Sequence, residues 1–510
     1  MNRYGIMTSL FAIAVSVALS VSAHAANLYV GPSDPYKTIQ AGIDAALKGD
    51  TVWVRPGTYT GAGNFDIDFK GKAVLLRSVG GPTKCIIDVQ NRGRAFYFHS
   101  GETTATAVVG FTIKNGLAAA DGGSGILCSS SPTIQNCVIT NCTTAAASLQ
   151  HYLPGAGIAC IGGKPRITGC TISGNTTGGP GGGIYIYNSS PTITSCTITN
   201  NTASSGGGIF CEKSIANITS STISGNGTGS YYGGGAYIGF STAGLKMTSC
   251  TISGNKSQFG AGLMIMSGKP NGCTLTSCIV KGNTADYEGG GVAFAPFYDD
   301  VAYSVASTVS SCTISENNSL DGEGGGGIYI TNNVNVNIRN CAIDKNTSKT
   351  NGSAIAIMGG APNVVNCTFL QNKATAASGG TIYNQSKSPF LNIVNSTFAD
   401  TADHWISGNA SSYAKNCIFW GTSKGFSVVR PYTHISYSDI FGGFPGTANI
   451  NADPLFVDPV NGDFRLSAGS PCIDTGSNTG LRLVLTNDKN LKPRAANNPF
   501  DMGAFEYQGN

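Results

Sequence analysis

One short phrase recurs eleven times between residues 137 and 417. It reads roughly Cys or Ser, any residue, Ile or Phe, two more residues and Asn, then a Gly-rich turn and Gly-apolar-x-apolar. The anchor falls at Cys137, Cys170, Cys196, Ser221, Cys250, Cys278, Cys312, Cys341, Cys367, Ser396 and Cys417, in steps of 21 to 34 residues. A fixed core with loops of variable length marks a solenoid, in which each unit buries its apolar face against its neighbours. The array lets one domain absorb most of a 510-residue chain that would otherwise suggest two or three.

In Cys196-Thr197-Ile198-Thr199 the alternation is that of a half-buried strand with Cys196 and Ile198 on one face. Five residues after the anchor stand Asn175, Asn201, Asn226, Asn255, Asn283, Asn317, Asn346 and Asn372. Asn tolerates left-handed turns, and its amide can bond to the same amide one turn above and below, so an asparagine ladder is expected. A Gly cluster such as Gly206-Gly207-Gly208 follows, then a second strand with inward pairs Ile184/Ile186, Ile209/Cys211 and Leu263/Ile265. Two or three strands per turn, stacked in register about 4.8 Å apart, describe an all-β, right-handed parallel β-helix solenoid. Leu is scarce and no helical segment recurs, which excludes leucine-rich repeats. The period is too short for a propeller blade.

Composition narrows the function classes. Gly accounts for 70 residues, charged residues for only 11%, and the formal net charge is +4. No basic run interleaves with aromatics, so nucleic acid is not an expected partner. Arg3, the apolar run Leu10 to Val21 and Ala23-His24-Ala25 read as a signal peptide over residues 1–25, which implies an exported protein. No second apolar stretch is long enough to span a membrane as a helix.

Sixteen Cys in an exported chain invite a disulfide framework. The ladder Cys, however, come as a run of three, then Ser221, a run of five, then Ser396 and Cys417. Odd runs cannot pair fully, and in-register strands hold Cβ atoms wider apart than the ~3.8 Å of a disulfide. Buried free thiols filling a narrow interior are expected instead.

Both ends need covering. Ile39, Ile43, Ala46 and Leu47 are spaced as one face of a short capping helix from about Thr38 to Lys48, within an N-terminal cap at 26–60. The Thr38-Ile39-Gln40, Gly49-Asp50-Thr51-Val52 and Pro56-Gly57-Thr58-Tyr59 opening resembles the start of secreted pectin-lyase-like β-helix proteins. Ile172-Ser173-Gly174-Asn175 with Gly181-Gly182-Gly183-Ile184 resembles the polymorphic outer-membrane-protein repeat, whose members are surface adhesins. The segments Asp453-Pro454-Leu455-Phe456-Val457-Asp458, Gly469-Ser470-Pro471-Cys472-Ile473-Asp474 and Asp501-Met502-Gly503-Ala504-Phe505-Glu506 resemble the choice-of-anchor Q domain, found in bacterial surface β-helix proteins. These readings divide the chain into a β-helix over 26–450, with repeats at about 117–425, and a C-terminal cap over 451–510. The cap region holds Asp453, Asp458, Asp463, Asp474, Asp488, Asp501 and Glu506, with Asp439 just before it; a structural role with Arg465 and Arg494 as partners is expected.

Two features carry candidate chemistry. Asp286 and Glu288 precede one Gly cluster, and Asp321 and Glu323 precede the next. Stacking is expected to bring Asp286 near Asp321 and Glu288 near Glu323, with Asp299 and Asp300 on a nearby loop. Such a set could perturb its own pKa values, recruit Ca²⁺ or serve acid/base catalysis; the bland alternative is solvated turn residues. The second feature is an outward stripe, Tyr185, Phe210, Tyr237, Met264, Ala293 and Tyr329, with Tyr231, Tyr232, Phe259 and Tyr287 in the turns before it. Aligned rings suit stacking on sugar rings or burial in a partner protein; alternatively they stack on each other or lie under a loop. His99, His151, His404 and His434 are scattered, with no nucleophile at a readable spacing. A secreted or cell-surface binding or adhesive protein, taking a glycan or a protein partner, is therefore expected. The competing class is a polysaccharide lyase or glycoside hydrolase on the same scaffold.

Overall fold

The computed structural model describes residues 25–509 except 119–120, 145–153, 230, 240–243, 268–271, 297–305, 332–333, 377–378, 387–390, 400–403, 422–432, 482–485 and 495–498. The expected signal segment, His151 and the loop holding Asp299 and Asp300 lie outside the described residues. Each period-2 segment of the sequence becomes a short strand, and the strands stack as parallel ladders. Among the described residues sheet 1 has 16 strands, sheet 2 has 15, sheet 3 has 13, and a narrow ladder has seven. One turn runs Thr192–Thr194 in sheet 1, Thr197–Thr199 in sheet 2, Thr202–Ala203 in the ladder and Ile209–Glu212 in sheet 3. The turns between 202 and 374 thus carry a fourth strand beyond the two or three read from the sequence.

The corners explain the repeat. The residue before each anchor sits at positive φ, as at Ser195 (53°), Ser220 (49°) and Ser249 (52°), and so does the residue before each ladder Asn, as at Asn200 (53°) and Gly225 (61°). The left-handed geometry expected of the ladder Asn therefore belongs to its predecessor. That frees the Asn side chain to turn inward. Asn226 Nδ2 donates to Ile198 O at 2.9 Å and to Asn255 Oδ1 at 3.1 Å, while its Oδ1 accepts the Asn201 N–H and Nδ2, both at 3.0 Å. Every donor and acceptor of this buried amide is used. The pattern holds from Asn175 to Asn372, and Cys142 donates its N–H to Asn175 at 3.0 Å as the rung before.

The glycines fit the same accounting. A Cβ on Gly208 would lie 2.5 Å from Gly235 O and 3.0 Å from Asn226 Nδ2, so the strand entering sheet 3 lies flat on the ladder only without one.

Inward residues form one continuous core. Ile172, Ile198 and Ile223 are partners in register and are fully buried; burying each such side chain stabilises by about 1.5–3 kcal/mol. All sixteen Cys are free and buried. Cys196 Sγ donates to Ile167 O and Thr194 O at 3.5 and 3.4 Å, and Ser221 Oγ accepts the Cys196 N–H at 3.1 Å. A Ser hydroxyl can thus take a thiol's place in the column. The register extends the anchor column back through Phe111 and Cys85, and forward to Ser438.

At the N-terminus the helix is Ile39–Ala45, capped by the Thr38 hydroxyl. Ile39, Ile43 and Ala46 are fully buried; Leu47 is 68% exposed because the helix has ended before it. Strand Asn27–Val30 already pairs with Thr51–Val54, so the rod begins ahead of the helix. At the other end Phe444 packs against the core. The final segment then runs back along the flank of the last turns: Gly503 N–H bonds Asn416 O at 2.8 Å and Ala504 N–H bonds Thr397 Oγ1 at 3.0 Å. Arg494 and Glu506 form a buried ion pair at 2.7 Å, and Arg465 pairs with Asp463 at 2.6 Å.

Candidate ligand-binding face

Sheet 3 is in register, so its outward residues form straight columns. Tyr185, Phe210, Tyr237, Met264, Ala293 and Tyr329 are successive partners. Tyr185 and Phe210 stack with ring centroids 5.5 Å apart, and Phe210 and Tyr237 at 4.8 Å. In the turns before the sheet, Tyr232 contacts Phe259 at 5.4 Å, and Phe259 stacks on Tyr287 at 5.2 Å. The two series meet where Tyr232 and Tyr237 lie 6.2 Å apart. Gly233 makes that approach possible. It sits at φ 67°, and a Cβ there would lie 2.4 Å from Ala236 O.

The rings therefore pack first on each other. Tyr237, Met264 and Ala293 are buried, with Phe210, Tyr232, Phe259 and Tyr329 packed around them, as a small apolar cluster outside the rod. Two rings stay largely open, Tyr231 at 54% and Tyr287 at 42% exposure. Burial pushes the Tyr185 phenol up to about 12, so it presents a neutral ring.

The four candidate carboxylates do not assemble as a square. The ladder pairs Ala285 with Ser319, so Asp286 falls level with Leu320, one residue out of step with Asp321. Glu288 and Glu323 do meet: the Glu323 N–H donates to Glu288 Oε1 at 3.3 Å. The Tyr329 hydroxyl donates to Glu323 Oε2 at 2.6 Å. Burial raises the Glu288 pKa, opposed by that backbone hydrogen bond. Among the described residues no group of three His, Cys, Asp or Glu could hold a metal ion.

Two features escaped the sequence reading. Glu212 follows Phe210 by two residues on the same outward face, beside Tyr187 in register, and burial raises its pKa. Period-2 alternation within the strand was the available signal. The second is the flank that receives the C-terminal segment. The corner residue before the anchor is Ser at 195, 220, 249, 277 and 311, then Asn at 340, 366, 395 and 416. Asn366 Nδ2 donates to Asn487 O at 2.8 Å, and Asn416 Oδ1 accepts the Ser477 N–H at 2.9 Å. That change from Ser to Asn marks the docking line. The segment also shapes two clefts of about 420 and 380 Å³, one beside Arg465, Lys492 and Tyr507, the other beside Trp420, Phe456 and Phe464.

Residues 83–295 and 297–438 match the family described as the right handed beta helix region. The chain belongs to this family. No curated protein matches the β-helix in sequence. Among solved structures it is similar to pectate lyase Pel9A, at 13% identity over 95% of this chain and 96% of that one, with a TM-score of 0.32. A mannuronic acid specific polysaccharide family 6 lyase from human gut microbiota shares 11% identity over 78% and 87%, with a TM-score of 0.38. The A-module of the mannuronan C-5 epimerase AlgE4 of Azotobacter vinelandii shares 13% over 78% and 94%, at 0.35. Likeness this loose reaches neither substrate nor activity. No helix among the described residues of the β-helix is long and apolar enough to cross a membrane.

Proposed function

We propose that this β-helix is an exported surface or secreted protein that binds a glycan along the outward aromatic face of sheet 3. The observation that carries the reading is the continuous ring array, 4.8–5.5 Å from ring to ring along each series, with Tyr231 and Tyr287 left open at its edge. Apolar faces of sugar rings pack against exposed aromatic surface of the kind Tyr231 and Tyr287 offer, and rings already fixed by packing lose little entropy on binding. Binding is favoured over turnover because Asp286 falls out of step with Asp321, which leaves Glu288 beside Glu323 without the second pair. The resemblances to the polymorphic outer-membrane-protein repeat and the choice-of-anchor Q domain support a cell-surface setting. The test is depletion of the full chain from solution by a panel of insoluble polysaccharides. At least one polymer should bind, and the Tyr231→Ala/Tyr287→Ala double variant should bind it roughly tenfold more weakly.

The second reading is a glycoside hydrolase or polysaccharide lyase. Its support is Glu288, a half-buried carboxyl of raised pKa beside the Glu323–Tyr329 pair. Release of reducing ends or unsaturated products that stops in Glu288→Gln would select it.

A further inference from the structure

We infer that the aromatic face selects a cationic glycan, a polymer of amino sugars with free amines, over neutral or uronate polymers. This rests on the glycan-binding reading above and adds the chemistry of the ligand. The carboxylates lie at both ends of the ring array. Glu212 shares the outward column side with Phe210, between Tyr187 and Gly239 in register. Asp286 and Glu288 flank the open Tyr287, and Glu323 holds the Tyr329 hydroxyl at 2.6 Å, with Asp321 two residues before it.

Among the described residues few cations stand near the array. Lys213 is already engaged, its Nζ donating to the Tyr187 hydroxyl at 2.9 Å and lying 5.1 Å from that ring's centroid. Lys256 stands exposed on the ladder strand, ahead of the register shift that separates Ser257 from Phe259. Arg166 and Lys246 stand on sheet 1, and Lys281 on sheet 2 is paired with Glu316 at 3.2 Å.

The surface is thus rings edged with carboxylates. An ammonium group is attracted to a ring face and gains a charge-assisted hydrogen bond to a carboxylate. A neutral sugar would use the rings alone. A uronate would meet like charge at both ends of the array.

The experiment compares binding of the full chain to deacetylated chitosan, fully acetylated chitin and polygalacturonate, in mildly acidic buffer at low and moderate salt. The expected order is chitosan first, chitin weaker by roughly tenfold and polygalacturonate unbound, with the chitosan advantage shrinking as salt rises. Glu212→Gln and Glu323→Gln should each weaken chitosan binding about threefold to tenfold and leave chitin binding unchanged, with unaltered thermal unfolding. Equal binding of chitosan and chitin, a preference for polygalacturonate, or chitosan binding indifferent to both Gln variants would overturn the inference while keeping the glycan reading. Binding to no glycan of any charge would remove both.

Discussion

Tyr232 and Tyr237 lie with ring centroids 6.2 Å apart, and that contact joins two aromatic series from different parts of each turn into one surface. Tyr237 is 8% exposed, whereas Tyr231 next door is 54% exposed. Neighbouring rings therefore divide between packing and contact with a ligand, and the division can be separated by mutation.

Tyr237→Ala removes a ring from the centre of the outer cluster and should cost about 2–4 kcal/mol of stability. Tyr231→Ala and Tyr287→Ala should each change stability by less than about 1 kcal/mol. Denaturant unfolding of the three variants checks the contrast; equal losses would mean that the open rings are structural.

Asn226→Ala should be among the most disruptive single changes in the rod. It deprives the Asn201 N–H and Nδ2 of their acceptor, Ile198 O of its side-chain donor and Asn255 Oδ1 of one of its two donors, all in a buried corner. Each unsatisfied group costs about 1–3 kcal/mol. Because turns contact only their neighbours, limited proteolysis should open first between about 190 and 260, ahead of global unfolding.

The thiols should be silent. Burial pushes Cys142 and Cys417 up to about 12, and all sixteen are buried, so a thiol reagent should react negligibly with native protein and with sixteen groups after denaturation. Cys250→Ser should cost less than about 2 kcal/mol, since Ser already occupies that column at Ser221 and Ser396.

The C-terminal segment should be held more tightly in mild acid. Burial raises Asp439 and Asp501 from 3.8 to about 6. A carboxyl whose folded pKa is raised binds protons more readily when folded, so its stabilisation is full below 3.8 and is lost as pH rises through about 6. The groups facing Asp501 are Arg494 and Glu506, and those facing Asp439 are Cys472 and Asp453. Hydrogen exchange of the Gly503 and Ala504 amides, corrected for intrinsic rates, should quicken roughly tenfold between pH 5 and 7.5. Asp439→Asn with Asp501→Asn should flatten that dependence.

The rod was legible because its signals are short-range and repeated. Alternation placed Ile198 inward, and a fixed offset placed Asn226 on a ladder. Before residue 117 the anchor position holds Phe111 and Cys85 without the Gly-rich phrase around them, so those turns escaped the repeat. The face was legible only as a column, because Tyr185 to Tyr329 follow from register. Which of its rings stay open depends on the turns before the strand, and their approach is set by glycine geometry that composition does not reveal. Asp286 failed to meet Asp321 for a similar reason: the two Gly clusters follow ladder strands of different length, so equal spacing from glycine does not mean equal height on the rod.

The central claim, that ligand is held on the outward face of sheet 3, is tested most directly by hydrogen exchange of the whole chain with and without a saturating oligosaccharide. Protection is predicted in 231–239, 256–266 and 284–296, with none in the sheet 2 strands at 197–199 and 222–224. Protection confined to sheets 1 and 2, or to the C-terminal segment from 456 to 507, would contradict it.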